Sequence, residues 1–190
     1  MLDGEKKIVE QAILGESSAF GLLYDHYEPQ IYRFIYLKVS HREEAEDLTH
    51  QVFLQSFRKI AEYQEKSFPF SSWLYRIARN EVIDYYRVKK THVSIESDEI
   101  DLPAPSQNSL DAELALEHIK RSIKRLKSIE QDVLILRFIE DLSPPEIAAA
   151  MGKTPLAVRL IQHRAIKNLK KLLSPKDNGS QELLWNSKNS

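Results

Sequence analysis

The chain has 190 residues, 42% of them hydrophobic, with five glycines and a net charge of −1, a composition that supports packed helical cores. It holds no apolar run of about 18 residues, so no membrane insertion is expected, and the start Met1-Leu2-Asp3-Gly4-Glu5 lacks the basic and apolar segments of a secretory signal. The absence of cysteine excludes disulfides and thiolate metal sites, and the six histidines are scattered, so the reading is a cytoplasmic protein with no metal and no cofactor.

The near-zero net charge conceals segregation along the chain. Residues 1–90 carry 13 basic and 14 acidic side chains. Residues 91–113 carry no lysine or arginine but six acids: Glu96, Asp98, Glu99, Asp101, Asp111 and Glu113. Residues 114–173 reverse this with 12 basic against six acidic, the footprint of a polyanion binder.

In the N-terminal part, apolar residues recur at helical spacing and predict helices over 5–14, 17–38, 42–62 and 71–89. Glu28-Pro29 marks a bend in the second, where proline removes a backbone donor. In the third, Ala45, Leu48, Val52, Ser56, Ile60 and Tyr63 share an inward face. Asp47, Gln51, Leu54 and Arg58 share another. Leu54 between charged neighbours suits a protein contact, and equally an ordinary exposed leucine.

In the fourth helix Leu74, Ala78, Val82 and Tyr85 face inward, while Ser72, Arg76, Arg79, Asn80, Ile83 and Arg87 spread over the opposite side. The preceding loop Tyr63-Gln64-Glu65-Lys66-Ser67-Phe68-Pro69-Phe70 mixes aromatic and polar groups. Rings beside guanidinium groups hold unstacked bases, each stack contributing about 1–3 kcal/mol. Trp73, in the apolar register, reads as core; the loop polar groups and Asn80 read as functional.

Residues 91–112 hold too few apolar side chains to offset the entropy of ordering and read as a flexible acidic linker. Helices are then expected at 111–127, 129–140, 143–151 and 155–173, with 174–190 a tail whose Leu183-Leu184-Trp185 could dock. Ser143-Pro144-Pro145-Glu146 has the form of a capping box with proline in the first turn. Gly152 supplies the left-handed stop, and Thr154-Pro155 restarts a helix at once. Val158, Ile161, Ala165, Leu169 and Leu172 face inward, with Arg159, His163, Lys167 and Lys170 opposite. A cationic helix set by a tight glycine turn is what docking in a DNA groove requires. The fold read from the chain is therefore all-α: two helical bundles, residues 1–90 and 113–173, the second with a helix-turn-helix.

At this point the chain resembles the group 4, or extracytoplasmic function, sigma factors of bacterial RNA polymerase. Ala45-Glu46-Asp47-Leu48-Thr49-His50-Gln51-Val52-Phe53 is similar to the AEDLxQEVF signature of region 2.2. Phe70-Ser71-Ser72-Trp73-Leu74-Tyr75-Arg76-Ile77-Ala78-Arg79-Asn80, with Asp84 and Arg87, resembles the adjoining signature of region 2, and Glu146-Ile147-Ala148 through Gly152, Val158-Arg159 and His163-Arg164-Ala165 resembles the region 4.2 helix-turn-helix. His50-Gln51 stands where Gln-Glu is usual, and Ala157, Leu160 and Ile161 replace the common Thr, Ser and Arg.

The resemblance implies a specificity subunit, without chemistry of its own, that directs core RNA polymerase to promoters and aids melting. It implies core polymerase contact through Asp47, Leu48, Gln51, Leu54 and Arg58. The unpaired −10 strand would meet Gln64, Lys66, Ser67, Phe68, Phe70, Ser72, Arg76, Asn80 and Arg87. The duplex −35 element would meet Thr154, Arg159, Leu160, His163, Arg164, Lys167 and Lys170. An anti-sigma factor is a further candidate partner. The rival is a stand-alone dimeric helix-turn-helix regulator of duplex operators, which leaves the Phe70–Arg87 face and the long linker without a purpose. A helical enzyme is disfavoured, since no nucleophile–base pair or phosphate loop is present.

Overall fold

The computed structural model describes residues 2, 4–64, 68–92, 119 and 121–173, and these are helices and short connections without a strand. The helices are α1 (Glu5–Ile13), α2 (Ser17–Val39), α3 (Arg42–Lys59) continued by a 3₁₀ turn (Ile60–Glu62), α4 (Phe70–His92), α5 (Ser128–Phe138), α6 (Pro144–Met151) and α7 (Pro155–Leu173). The expected linker and tail lie outside the described residues. Of the helix expected at 111–127, residues 119 and 121–124 are helical among those described.

Local chemistry sets the boundaries. Ser40 ends α2 in a left-handed conformation at φ 59°, its amide donating to the Tyr36 carbonyl at 2.8 Å. The Ser143 amide donates to the Glu146 carboxylate at 2.8 Å, closing one half of a capping box at the start of α6. Gly152 then takes φ 61°, a conformation a Cβ would strain, and stops the helix. Thr154 Oγ1 accepts from the Ala157 amide at 3.2 Å and opens α7. The helix-turn-helix is thus written in four residues. Pro29 lies within α2.

The inward faces pack as periodicity predicts. Ala45, Leu48, Val52, Ser56, Ile60 and Tyr63 are buried, as are Leu74, Ala78 and Val82 of α4. Val158 and Ala165 anchor α7, where Leu126, Leu134, Ala165 and the flanking Ile166, Leu169 and Leu172 form a small separate cluster.

The two bundles also pack on each other. Val133, Ile135 and Leu136 of α5, Ile147 and Ala148 of α6 and Val158 of α7 join one core with Leu23, Ile31, Phe34 and Leu74 of the N-terminal helices. α6 lies against α4, and α5 against α2. A fully buried aliphatic side chain contributes about 1.5–3 kcal/mol, so this shared apolar surface supplies the adhesion between the halves.

Candidate nucleic-acid interface

Charged groups fix how the halves meet. Lys38, at an inward position of α2 after Ile31, Phe34 and Ile35, reaches Asp132 of α5 at 2.8 Å and donates to the Ser128 carbonyl at 3.1 Å and to its hydroxyl at 3.0 Å. Asp132 also takes Arg79 of α4 at 2.8 Å. Burial depresses the Lys38 ammonium below the ordinary lysine range, with Asp132 opposing that shift. Nearby, Arg33 grips Glu140 through two bonds of 2.8 and 2.6 Å, and the Tyr75 hydroxyl donates to the same carboxylate at 2.9 Å. Desolvation offsets most of the attraction in a pair as buried as Lys38–Asp132, so that pair sets register more than it adds adhesion.

Arg76 completes this boundary. The last carbonyls of a helix lack intrahelical donors. Arg76 supplies one, donating to Ala149 near the end of α6 from Nε at 3.1 Å and from Nη2. Its guanidinium also lies 4.7 Å from the centre of the Phe68 ring, a cation–π contact.

Against this frame the expected site residues separate. On α3, Asp47, Gln51, Leu54 and Arg58 are exposed together on one face. Leu48 is 5% exposed and sits in the core, because its position shares the face of Ala45 and Val52; as placed it presents nothing to a partner. Phe57, 49% exposed beside Leu54 at 51%, extends the apolar surface and touches Phe20 edge-on at 5.0 Å. The spacing Leu54–Phe57–Arg58 is the sequence signal for it.

In the loop and α4, Gln64 and Asn80 are exposed, and Arg87 is exposed with Asp84 at 3.1 Å. Lys66 and Ser67 lie outside the described residues. Phe70 is core: only 2% exposed, it packs on Tyr27 and Tyr63 at 5.6 Å each and on Trp73 at 5.5 Å. Its ring is committed to an aromatic cluster and is not free for a base. Ser72 is fully buried, on the α4 side that meets its neighbours, so it too departs from the expected outward face. Arg76 is half-buried at the boundary with α6, Phe68 beneath it. Trp73 packs with Tyr63 and Phe70, as a core residue should.

On α7 the stripe Leu156, Arg159, Leu160, His163, Arg164, Lys167 and Lys170 is exposed, with Thr154 exposed at the cap. This face lies open while Arg76 and Arg79 are engaged across the boundary. Periodicity does not report that asymmetry; the one signal for it is that Lys38 in an apolar register and Asp132 beside Val133-Leu134-Ile135-Leu136 are charges placed where a core is due.

Residues 23–91 match the family model for sigma-70 region 2, and residues 122–171 match that for sigma-70, region 4. The chain belongs to the sigma-70 family, among the extracytoplasmic function sigma factors. It is 34% identical over 171 residues to the ECF RNA polymerase sigma factor BldN of Streptomyces coelicolor, covering 88% of this chain and 65% of that relative. With the ECF RNA polymerase sigma factor SigX of Bacillus subtilis it shares 30% identity over 160 residues, 80% of this chain and 82% of the other. The fold is similar to a solved structure of CnrH in complex with the cytosolic domain of CnrY, at a TM-score of 0.70 and 23% identity, covering 89% of this chain and 96% of that one. A stand-alone operator-binding regulator would not account for a region 2 match across α2 to α4.

Proposed function

We propose that this sigma factor binds core RNA polymerase through the exposed face of α3, captures the −10 strand with the α3–α4 loop and α4, and reads the −35 duplex with α7. Residues 1–90 and 113–173 act as the two working units and 91–112 as the connection between them. The observation that carries this reading is the presence of both family matches on one chain, region 2 across α2 to α4 and region 4 across α5 to α7, with a row of exposed Arg159, His163, Arg164 and Lys167 on α7. It acts in the cytoplasm, performs no bond chemistry, and takes an anti-sigma factor as its regulator.

The packing adds a requirement. Arg76 is held at the boundary by its bonds to the Ala149 carbonyl and Arg79 by its pair with Asp132, so Arg76 is freed for the −10 strand when the halves part. Core polymerase, holding the two regions apart, would supply that separation. A gel shift on a promoter duplex with and without core polymerase tests the reading. Shifting only with core supports it, and equal binding by the free protein rejects it.

A further inference from the structure

The stripe along the outer face of α7 changes character along its length. Leu156, Leu160, His163, Lys167 and Lys170 follow one another at steps of four, three, four and three, so they lie in one row. The first two are leucines, 66% and 52% exposed, and the fold uses little of their apolar surface. Single exposed leucines are ordinary. Two in succession are not, when they open a row otherwise made of histidine and lysine and are bordered by exposed Arg159 and Arg164.

That border restricts what can cover them. A partner seated on this face must be polyanionic around an apolar spot. A duplex major groove has that character where thymine occurs: phosphates line the walls, and the thymine C5 methyl is the apolar group on the floor. The row also starts at the N-terminal turn of the second helix of a helix-turn-helix, the part that reaches base edges. We propose that Leu160, with Leu156 beside it, selects thymine in the −35 element by burying the C5 methyl. This rests on α7 being the −35 reader, and it names the chemistry by which one position is chosen.

The proposal separates from simple groove binding through a single-methyl change. Holoenzyme built from the full chain and core polymerase first selects its −35 sequence from a randomised duplex library. Each thymine in the selected sequence is then replaced by deoxyuridine, which keeps every hydrogen-bonding group and removes only the methyl. At one or two thymines the replacement should weaken binding about fourfold, the factor one buried methyl-sized group commands. Leu160→Ala, at an exposed position that leaves the core intact, should bring that thymine-to-uracil ratio close to one while binding to duplexes lacking the −35 element stays unchanged. If uracil is tolerated everywhere although the library yields a defined −35 sequence, the apolar readout is wrong and duplex reading stands. If the library yields no −35 preference, the role of α7 itself fails. Should Leu160→Ala weaken holoenzyme formation and leave the thymine-to-uracil ratio as it was, the leucines belong to a protein contact and the proposal is overturned.

Discussion

Asp132 and Lys38 form an ion pair 2.8 Å long across the boundary between regions 2 and 4, with each side chain only 2% exposed. Asp132 carries the arrangement, because Arg79 depends on it as well. Removing one partner of a buried pair costs about 3–5 kcal/mol, since the other charge is left without compensation. Asp132→Asn leaves Lys38 and Arg79 in that position, and both recover water if the halves separate. The variant should therefore open rather than unfold. Small-angle scattering should give a larger radius of gyration at unchanged helicity; an equally compact variant would show that the ion pairs do not hold the boundary.

Tyr75 offers a second test of the same contact. Burial first, and then the Glu140 carboxylate, push its hydroxyl above the ordinary value of 10.0. The packed protein keeps this proton where the unfolded chain loses it, so the stability tied to it is complete below pH 10 and falls as pH rises beyond. At pH 8, Tyr75→Phe should be less stable by about 1–3 kcal/mol through the lost bond to a charged acceptor. The gap should narrow toward pH 11. Denaturant midpoints across that range measure it, and a widening gap is the contrary result.

The exposed face of α3 should be the polymerase contact. Leu54→Asp changes a side chain that is half exposed, so the fold should persist with the same circular dichroism. Capture by core polymerase should drop at least tenfold, a loss of about 1.4 kcal/mol. Full retention would remove α3 from the interface.

Asn80 and Arg76 should differ in an informative way. Asn80 is exposed, whereas Arg76 also ties α4 to α6 through Ala149. Asn80→Ala should reduce open-complex formation on a duplex promoter much more than on a pre-melted bubble. Arg76→Ala should do the same and in addition loosen the free protein. Equal losses on duplex and bubble would assign Asn80 to phosphate contacts or to the fold.

Much of this was legible because helices report their faces locally. Spacing alone placed Ala45, Val52, Leu74 and Val158 in the core, and four residues, Ser143, Glu146, Gly152 and Thr154, outlined the helix-turn-helix. Phe70 was misplaced because a ring at a helix start has no periodicity on its N-terminal side to say that it faces in, and Ser72 because the first turn of α4 is buried on more than one face, with Tyr75 three residues on also in the core. Tyr27, on another helix, decides it by packing on Phe70. The union of the halves was hidden as well. Lys38 and Asp132 stand out as charges in apolar stretches, but what pairs them appears only where α2, α4 and α5 converge, because the partners of Lys38, Asp132 and Glu140 are 53 to 107 residues away in the chain.

Transcription reconstituted from purified components shows whether this protein gives core RNA polymerase a promoter specificity. Core polymerase with and without the protein is supplied with fragmented bacterial DNA, and transcript 5′ ends are mapped. A limited set of new start sites is expected, sharing a −35 and a −10 sequence and disappearing with Leu54→Asp. Start sites identical with and without the protein, or new sites lacking any shared upstream sequence, would contradict it.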